Sequence, residues 1–476
     1  MAEPVDAADL KSASPRSAGS SPAVRTILAC LALIGCDAPP PDTGAAVVGA
    51  IGDREAVRLL TDATEQGLVR FDAAGQVEPG LAERWIVIEG GTSYIFRLRP
   101  ARWADGSPVT APDVAAALRR RLATRRNPLR PYLTAVAEVV AMTPQVLEVR
   151  LSRQRPDLLK LFAQPEMAVA RPRAGGSGPM RLVAGVLRPA TDPDAPPAPR
   201  PPRDVRLLTD RAALAVARFA ARRADLVLGG TFADWPLLAR AAPPPESIRV
   251  DPAAGLFGFA VVSRTGFLAD AANRAAVSQA LDRAAITAAI APGWELAERI
   301  LPDILDGAAP PVAPEWARLT LAERRAAARA RVAAYGPVRL RIALPDGPGA
   351  TLLYGRVAAS LLAVGIEGER VDRIAPADLR LVDEVAPYDS GRWYLAAACR
   401  PCGAEAKAAL VAARDAPTVA ERAREIANAD RLLAADHAFI PLARLWRWSL
   451  VSARVDGWRP NARAWHPLNR LRTEAR

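Results

Sequence analysis

The residues best suited to chemistry in this sequence are its four cysteines and two histidines. Cys399 and Cys402 form a C-x-x-C pair just before a predicted helix. A thiol at a helix N-terminus has a lowered pKa, so thiol–disulfide redox chemistry is one hypothesis for the pair. No thioredoxin-type β-α-β pattern surrounds it, and we favour a structural disulfide, with a reduced pair as a further alternative. Two cysteines alone do not make a zinc site.

The two histidines do not indicate hydrolysis or metal binding. His437 and His466 stand apart, in no metal-binding spacing such as H-E-x-x-H, and the chain has no G-x-S-x-G motif. A hydrolase needs a base beside its nucleophile. The glycine-rich stretch 175–179 lacks the Lys-Ser/Thr of a phosphate-binding loop and predicts a turn. We therefore expect no enzymatic activity, no metal and no cofactor.

Length and composition predict a folded protein of two or three domains. The chain has 476 residues, of which 50% are apolar and 24% are charged, whereas a disordered chain contains fewer apolar residues. The formal net charge of +12 comes mostly from arginine. A basic chain attracts nucleic acid, but these arginines are scattered and lack the interleaved aromatic residues that stack on bases. We expect no nucleic-acid partner.

The N-terminal segment has the pattern of a secretory signal. Arg25 precedes an apolar run, 26–35, that ends at Cys36. Spanning a bilayer takes roughly 20 apolar residues, so this run fits a signal peptide better than a membrane helix. The tetrapeptide Leu-Ile-Gly-Cys ending at Cys36 resembles the bacterial lipobox, whose cysteine is acylated and becomes the new N-terminus. We predict a signal segment at 1–36, a lipid anchor on Cys36 and a tether at 37–43, with a buried strand as the alternative.

Apolar periodicity farther along the chain predicts alternating strands and helices, which is typical of an α/β fold. Tyr94, Phe96 and Leu98 alternate with other residues as on a half-buried strand. Thr110 is suited to cap a helix running to about Leu122. The further predictions are an extended run at 45–60 followed by a helix at 61–68, strands at 225–228, 257–263, 338–344 and 438–443, and helices at 273–286, 320–334, 350–364, 404–414 and 418–436.

Six strings of residues occur in a characteristic order over nearly all of residues 60–460. The first string is Glu78-Pro-Gly-Leu-Ala-Glu-Arg-Trp85, followed by Tyr94-x-Phe-x-Leu-Arg-Pro100 and Trp103-x-Asp-Gly106. The other five are Gly176-Ser-Gly-Pro179, Asn273 to Arg283, Leu361 to Ile366, Ile440-Pro-Leu442, and Val455-Asp-Gly457. Together they resemble family 5 of the bacterial extracellular solute-binding proteins, which serve ABC importers for peptides and nickel.

The resemblance implies an α/β, two-lobed periplasmic-binding-protein fold with an extra inserted subdomain, closing on its ligand as a hinged clamp. By position, 44–65, 166–255 and 445–476 form a discontinuous domain I, 66–165 its inserted subdomain, and 256–444 domain II. The implied protein is a periplasmic, monomeric lipoprotein that delivers a peptide or other small molecule to an ABC permease. Two alternatives remain open, a thiol redox protein and a sensor or scaffold built on the same fold.

The resemblance also indicates where a ligand binds. Peptide binders of this family present an acid, in a W-x-x-D-like stretch of domain II, to the ligand's ammonium group. Here no tryptophan precedes the acids, and the equivalent position falls near Pro387. Because the surplus near the cleft is arginine, which grips carboxylates and phosphates, we favour an anionic ligand. The candidate ligand-binding residues are Asp383, Glu384, Asp389, Arg380, Arg392, Trp393, Trp446 and Arg447, and a surface or core role is the alternative for each.

Overall fold

The computed structural model describes residues 44–190, 203–303 and 305–473; the predicted signal segment, Cys36 and the tether lie outside them. The strands, in chain order, are β1 (Ala46–Ile51), β2 (Val69–Phe71), β3 (Val77–Pro79), β4 (Ala82–Ile88), β5 (Ser93–Leu98), β6 (Val136–Thr143), β7 (Val146–Leu151), β8 (Ala170–Arg171), β9 (Gly175–Gly176), β10 (Met180–Val183), β11 (Val186–Pro189), β12 (Val205–Asp210), β13 (Leu226–Thr231), β14 (Ile248–Asp251), β15 (Gly255–Val261), β16 (Val338–Leu344), β17 (Ile366–Asp372), β18 (Leu379–Val385), β19 (Phe439–Ala443), β20 (Arg447–Val451), β21 (Val455–Asp456) and β22 (Arg472–Thr473).

The helices of the described residues lie between these strands and cover the sheets. They are α1 (Asp53–Thr64), α2 (Ala111–Ala123), α3 (Leu158–Phe162), α4 (Ala212–Ala220), α5 (Pro236–Ala241), α6 (Ala271–Ala280), α7 (Arg283–Ile290), α8 (Leu321–Tyr335), α9 (Pro348–Leu362), α10 (Gly391–Ala398), α11 (Ala404–Asp415) and α12 (Val419–Asp436). Among the described residues, none of these helices combines the length and apolar character needed to cross a membrane.

The first lobe is built on a seven-stranded sheet with the order β10-β11-β12-β1-β13-β20-β14. Its centre is parallel, because β1 pairs with both β12 and β13 in the same direction. Near the C-terminus, β20 returns and inserts antiparallel between β13 and β14. Strands far apart in sequence therefore share one sheet.

A four-stranded antiparallel sheet, β4-β5-β7-β6, is attached to this lobe. The alternation predicted for β5 is confirmed, since Tyr94, Phe96 and Leu98 are all at most 3% exposed. The predicted helix start is confirmed as well, because the Thr110 side chain accepts a hydrogen bond from the backbone N–H of Asp113 at the beginning of α2. Arg153, which follows β7, donates a hydrogen bond to the carbonyl of Arg414, so the end of this sheet also contacts the second lobe.

The second lobe contains a five-stranded sheet with the order β17-β16-β18-β15-β19. Its helices have strong local start signals. Thr320 and Glu323 form a capping box at α8, and Thr418 and Glu421 form another at α12. These helices begin within a residue of their predicted positions.

Some predicted elements were wrong in their bounds. The run predicted as extended over 45–60 is a strand only to Ile51, because Gly52 turns the chain with φ 83° and α1 begins at Asp53. The helix predicted at 61–68 is the last part of α1, which ends at Thr64. The single helix predicted at 273–286 is two helices, α6 and α7. Asp282 separates them, since its carboxylate accepts a hydrogen bond from the backbone N–H of Ala285 and caps α7.

The chain crosses between the two large sheets through two short segments, 252–254 and 444–446. They run side by side, because Asp251 pairs with Arg447 at the edge of the first sheet and Phe257 pairs with Ala443 in the second. Two adjacent short crossings are the geometry that lets domains rotate as a hinge. The residues beside the crossings therefore face both lobes.

Candidate ligand-binding site

A buried ion pair lies beside the crossings. Arg447 starts β20 and donates a hydrogen bond of 2.7 Å to the Asp383 carboxylate on β18, and a second of 3.2 Å to the Asp383 carbonyl. The two side chains are 14% and 18% exposed. Burial raises the pKa of Asp383, although the Arg447 guanidinium acts to lower it. The structure thus joins two residues that were predicted separately.

Three tryptophans meet next to this ion pair. Trp446 lies on the crossing segment, with ring centroids 5.1 Å from Trp235 and 5.9 Å from Trp294. The indole N–H of Trp294 donates to the carbonyl of Arg444, whereas the indole N–H of Trp446 is buried without a partner. An indole is a donor only. The Trp446 N–H is therefore a buried donor with no acceptor among the described residues.

Sequence reasoning missed Trp235, Trp294 and Asp234. Asp234 and Trp235 follow the end of β13, and ligands of open α/β sheets bind at the carboxyl ends of strands, so their position was a usable signal. Asp234 accepts a hydrogen bond from the Thr231 hydroxyl and has no ion pair among the described residues. Burial raises its pKa, and nearby Asp383 raises it further.

The lobes are in direct contact across the space between them. The backbone N–H of Gly349, at the start of α9, donates to the carbonyl of Ala233 at 2.8 Å. A Cβ at Gly349 would overlap the carbonyl oxygen of Phe232. On the other side, Tyr132 meets Tyr388 edge to face at 5.6 Å. We call these two contacts, Ala233 with Gly349 and Tyr132 with Tyr388, together with the residues beside them, the interlobe seam.

The other two candidate acids already have basic partners. Glu384 receives hydrogen bonds of 2.9 and 2.7 Å from the Arg400 guanidinium. Asp389 is paired with Lys160 at 2.6 Å and with Arg463. Burial acts to raise the pKa of Asp389, but Arg463 and Lys160 outweigh it and the pKa lies below its usual value.

The remaining candidates divide between core, loop and seam. Trp393 is 4% exposed and packs edge-on against Tyr394, so it is part of the second lobe's core. The Arg380 guanidinium donates to the carbonyls of Arg373 and Ala375 and holds that turn. Arg392 lies over the ring of Tyr132, with 5.7 Å between guanidinium carbon and ring centroid, and so belongs to the seam.

The cysteines and histidines make contacts that stabilise the fold. Cys399 and Cys402 are joined in a disulfide that closes the loop carrying Arg400. His437 is the left-handed C-cap of α12, and His466 is buried with its Nε2 3.1 Å from the Asp251 carboxylate. Among the described residues, no group of three or more His, Cys, Asp and Glu side chains is arranged to hold a metal ion.

Comparison with known proteins finds a family match in one part of the sequence and a similar fold over most of it. Residues 76–194 match the sequence family described as bacterial extracellular solute-binding proteins, family 5 middle. This match covers about a quarter of the 476 residues. The probable deoxycholate-binding periplasmic protein YgiS of Escherichia coli is 39% identical over 85 residues, which are 17% of this chain and 16% of YgiS. The sequence match to this relative thus spans only a small part of either protein.

Solved structures extend the likeness to most of the length of this chain. The murein tripeptide binding protein MppA of Escherichia coli has a TM-score of 0.75 and 18% identity, covering 90% of this chain and 98% of MppA. Haemophilus influenzae OppA, in complex with the peptide RPPGFSPFR, has a TM-score of 0.74 and 17% identity, covering 90% and 99%. At these identities the likeness shows the fold, and the predicted two-lobed α/β architecture is confirmed.

Proposed function

We propose that this protein is the extracytoplasmic substrate-binding component of an ABC importer. It captures a small solute between its lobes and delivers it to a membrane permease. The observation that carries the proposal is the pair of adjacent crossings between the large sheets, with Asp383, Arg447 and Trp446 gathered beside them. A ligand that contacts both lobes favours their closure. The similar proteins include several that are named as binding proteins, which supports capture over thiol redox chemistry.

The domain division and the location of the protein belong to the same proposal. Domain I comprises 44–65, 166–255 and 445–476, with 66–165 inserted, and domain II comprises 256–444. The protein is a periplasmic monomer held to the membrane by a lipid on Cys36. YgiS is named as a periplasmic protein, which supports this location. The lipid anchor is proposed from the sequence of the segment 1–43.

The ligand proposed is a peptide-like or other small solute, with an anionic group favoured. The acids considered for binding a peptide ammonium, Asp383, Glu384 and Asp389, are each paired with a basic side chain of this chain. A relative is named for deoxycholate, a carboxylate, and a similar structure holds a peptide. The fold therefore accepts ligands of different chemistry.

Intrinsic fluorescence and small-angle scattering test the capture function. Since Trp235, Trp294 and Trp446 lie at the hinge side of the seam, a bound solute should change tryptophan emission and reduce the radius of gyration. A ligand at 100 times its dissociation constant should stabilise the fold by about 2.7 kcal/mol. Mass spectrometry of co-purified compounds supplies the first ligands to try. A confirmed ligand that causes no compaction contradicts the clamp.

Cellular uptake separates the importer from a sensor or scaffold on the same fold. If the protein feeds an importer, deleting it should abolish uptake of its ligand, and Trp446→Ala should weaken binding and uptake together. Uptake that persists at the normal rate without the protein contradicts the importer, even where binding to the purified protein is intact.

A further inference from the structure

Arginines converge where the attached four-stranded sheet meets the second lobe. Arg153 and Arg155, which follow β7, both donate hydrogen bonds to one carbonyl oxygen, that of Arg414 at the end of α11. Arg422 on α12 donates to the Ser390 hydroxyl at 2.6 Å. Two guanidinium groups at one carbonyl bring like charges close together. Burial, together with the charges of Arg422, Arg153 and Arg392, lowers the pKa of Arg155 to about 10.

Arg392 is the member of this group that makes no side-chain hydrogen bond or ion pair within the described parts of the chain. It lies in the first turn of α10, and its guanidinium carbon is 5.7 Å from the centre of the Tyr132 ring. Its Nε is buried and makes no hydrogen bond, and Arg392 has no ion pair among the described residues. A guanidinium carries five N–H donors, and the Arg392 side chain as a whole is only part-buried. The donors on its two terminal nitrogens are therefore the ones available to a bound acceptor.

The acids around this group already have partners. Asp415 pairs with Arg414 at 2.6 Å and with Arg153 at 3.3 Å. Two carboxylates, Asp157 and Asp306, flank Arg422 at 3.7 and 3.3 Å. Glu384 forms a bidentate ion pair with Arg400. None of these carboxylates hydrogen-bonds Arg392 in the described part of the chain.

We infer that Arg392 binds an anionic group of the captured solute, a carboxylate or a phosphate, at the seam between the attached sheet and the second lobe. The inference rests on the proposed capture function and specifies its ligand. Tyr132 provides a platform that orients the guanidinium through cation–π contact. The planar group then offers paired N–H donors to two oxygens of the anion.

The seam connects Arg392 with the rest of the candidate site. Tyr132 is close to Arg392, Glu384 and Arg400, whose charges all affect its pKa, which burial raises. Glu384 is the neighbour on β18 of Asp383, which pairs with Arg447 beside the tryptophans. Consecutive residues of a strand point to opposite faces, so this link between Arg392 and Arg447 passes through the backbone of β18.

Thermal unfolding with simple anions tests the inference even before the solute is identified. Inorganic phosphate and acetate are the probes, each compared with chloride at equal ionic strength. We expect at least one of them to raise the melting temperature of the native protein by about 1–2 °C at several times its dissociation constant. Arg392→Gln should remove this rise, and Arg392→Lys should keep part of it because the charge remains. A rise with phosphate alone assigns a phosphate site, and a rise with acetate assigns a carboxylate site.

The control is Arg356→Gln, which makes the same charge change at an exposed position of another helix and should leave the rise intact. Without added anion, Arg392→Gln should melt no lower than the native protein, because it relieves repulsion with Arg153, Arg155 and Arg422. A variant that melts lower in every buffer, or an equal anion effect in all variants, or no effect of either anion on the native protein, overturns the inference.

The two levels of the proposal fail separately. If a co-purified solute compacts the protein and Arg392→Gln binds it with unchanged affinity, the capture function stands and the role of Arg392 is wrong. If the anion effect depends on Arg392 but no solute ever compacts the protein, the anion site stands and the clamp is wrong.

Discussion

Asp383 and Arg447 belong to different sheets, and each satisfies the charge of the other in a buried position. Their side chains are less than one-fifth exposed and form a hydrogen bond of 2.7 Å. Removing one partner of such a pair leaves an uncompensated charge, whereas replacing both removes the problem. The pair therefore joins the two lobes beside the crossing segments.

Arg447→Ala should lower the free energy of unfolding by about 3 kcal/mol, because Asp383 is left buried and unpaired. Adding Asp383→Asn to that variant should recover a large part of the loss. Urea unfolding of the two single variants and the double variant measures the coupling. The matched control is Arg400→Ala, whose pair with Glu384 is about two-fifths exposed and should be worth less than about 1 kcal/mol. Equal losses for both arginines contradict the assignment.

The buried carboxyl of Asp62 on α1 predicts that the free energy of unfolding depends on pH. It is 7% exposed, and burial raises its pKa to about 6, although Arg70 and Arg58 act to lower it. Because the folded pKa lies above the unfolded value of about 3.9, the folded protein binds the proton more tightly. The contribution of Asp62 to the free energy of unfolding is therefore greatest below about pH 4 and falls as the pH rises to 7.

Asp62→Asn should raise the free energy of unfolding at pH 7 by on the order of 2–3 kcal/mol, since one pKa unit corresponds to about 1.4 kcal/mol. At pH 4 the native carboxyl is protonated when folded, so the gain should nearly vanish. Urea unfolding at the two pH values checks this. A gain of the same size at both would show that the benefit comes from packing and not from charge.

At the scale of elements, the disulfide loop positions the Arg400 side chain at the seam. The Cys399–Cys402 bond closes a short loop between α10 and α11. Arg400 projects from this loop to Glu384 on β18. The loop is fastened a second time by the backbone N–H of Gly403, which donates to the Asp436 carboxylate. The covalent bond is therefore one of several restraints on the loop.

Replacing Cys399 and Cys402 with serine should cost about 1–2 kcal/mol of stability, because a loop this short removes little entropy from the unfolded chain. Ligand affinity should stay within a few-fold of the native value. Denaturant unfolding and ligand titration of the double variant measure both quantities. A loss of binding much greater than the loss of stability would show that the loop does more than hold Arg400.

At the scale of the whole molecule, the lobes touch through small residues. Gly349 approaches the backbone of Phe232 and Ala233 so closely that a side chain does not fit. The contact is made between the start of α9 in the second lobe and the segment after β13 in the first. Glycine is required here by close approach of two backbones.

Gly349→Ala should therefore hold the lobes apart, raising the radius of gyration of the ligand-bound protein and weakening binding about tenfold. Gly355→Ala in the same helix is the control, since a Cβ there meets nothing within 4 Å. That control should leave scattering and affinity unchanged and stabilise the fold by about 0.5–1 kcal/mol. Compaction of the Gly349 variant equal to that of the control contradicts the role of this contact.

The proposed lipid on Cys36 places the whole molecule at a membrane surface. Cys36→Ala removes the acylated residue, so the protein should move from the membrane fraction to the soluble fraction. Fractionation with and without the substitution measures this, and a variant of Cys30, which lies inside the apolar run, is the matched control. Unchanged membrane association of the Cys36 variant would contradict the anchor.

The sequence alone predicted the features that depend on neighbouring residues. The alternation of Tyr94, Phe96 and Leu98 identified β5, and Thr110 marked the start of α2, because strand faces and helix caps are set within a few residues. The ordered motifs carried the resemblance to family 5 and the two-lobed α/β fold, and the structure confirmed the fold. The break between α6 and α7 was missed, since alanine-rich periodicity conceals a cap at Asp282.

Only the tertiary structure decided which predicted side chains act together. Arg447 meets Asp383 because β20 inserts beside β13 and β14 while β18 ends next to the same crossing. Trp235 joins Trp446 for the same reason, and Arg392 lies over Tyr132 with no side-chain hydrogen bond or ion pair among the described residues. The pairing of a charge or an indole depends on contacts between distant segments, 64 residues apart for Arg447 and Asp383 and more than 200 for Trp235 and Trp446. No local pattern carries that information, because any arginine in the chain is chemically able to pair with any of its acids.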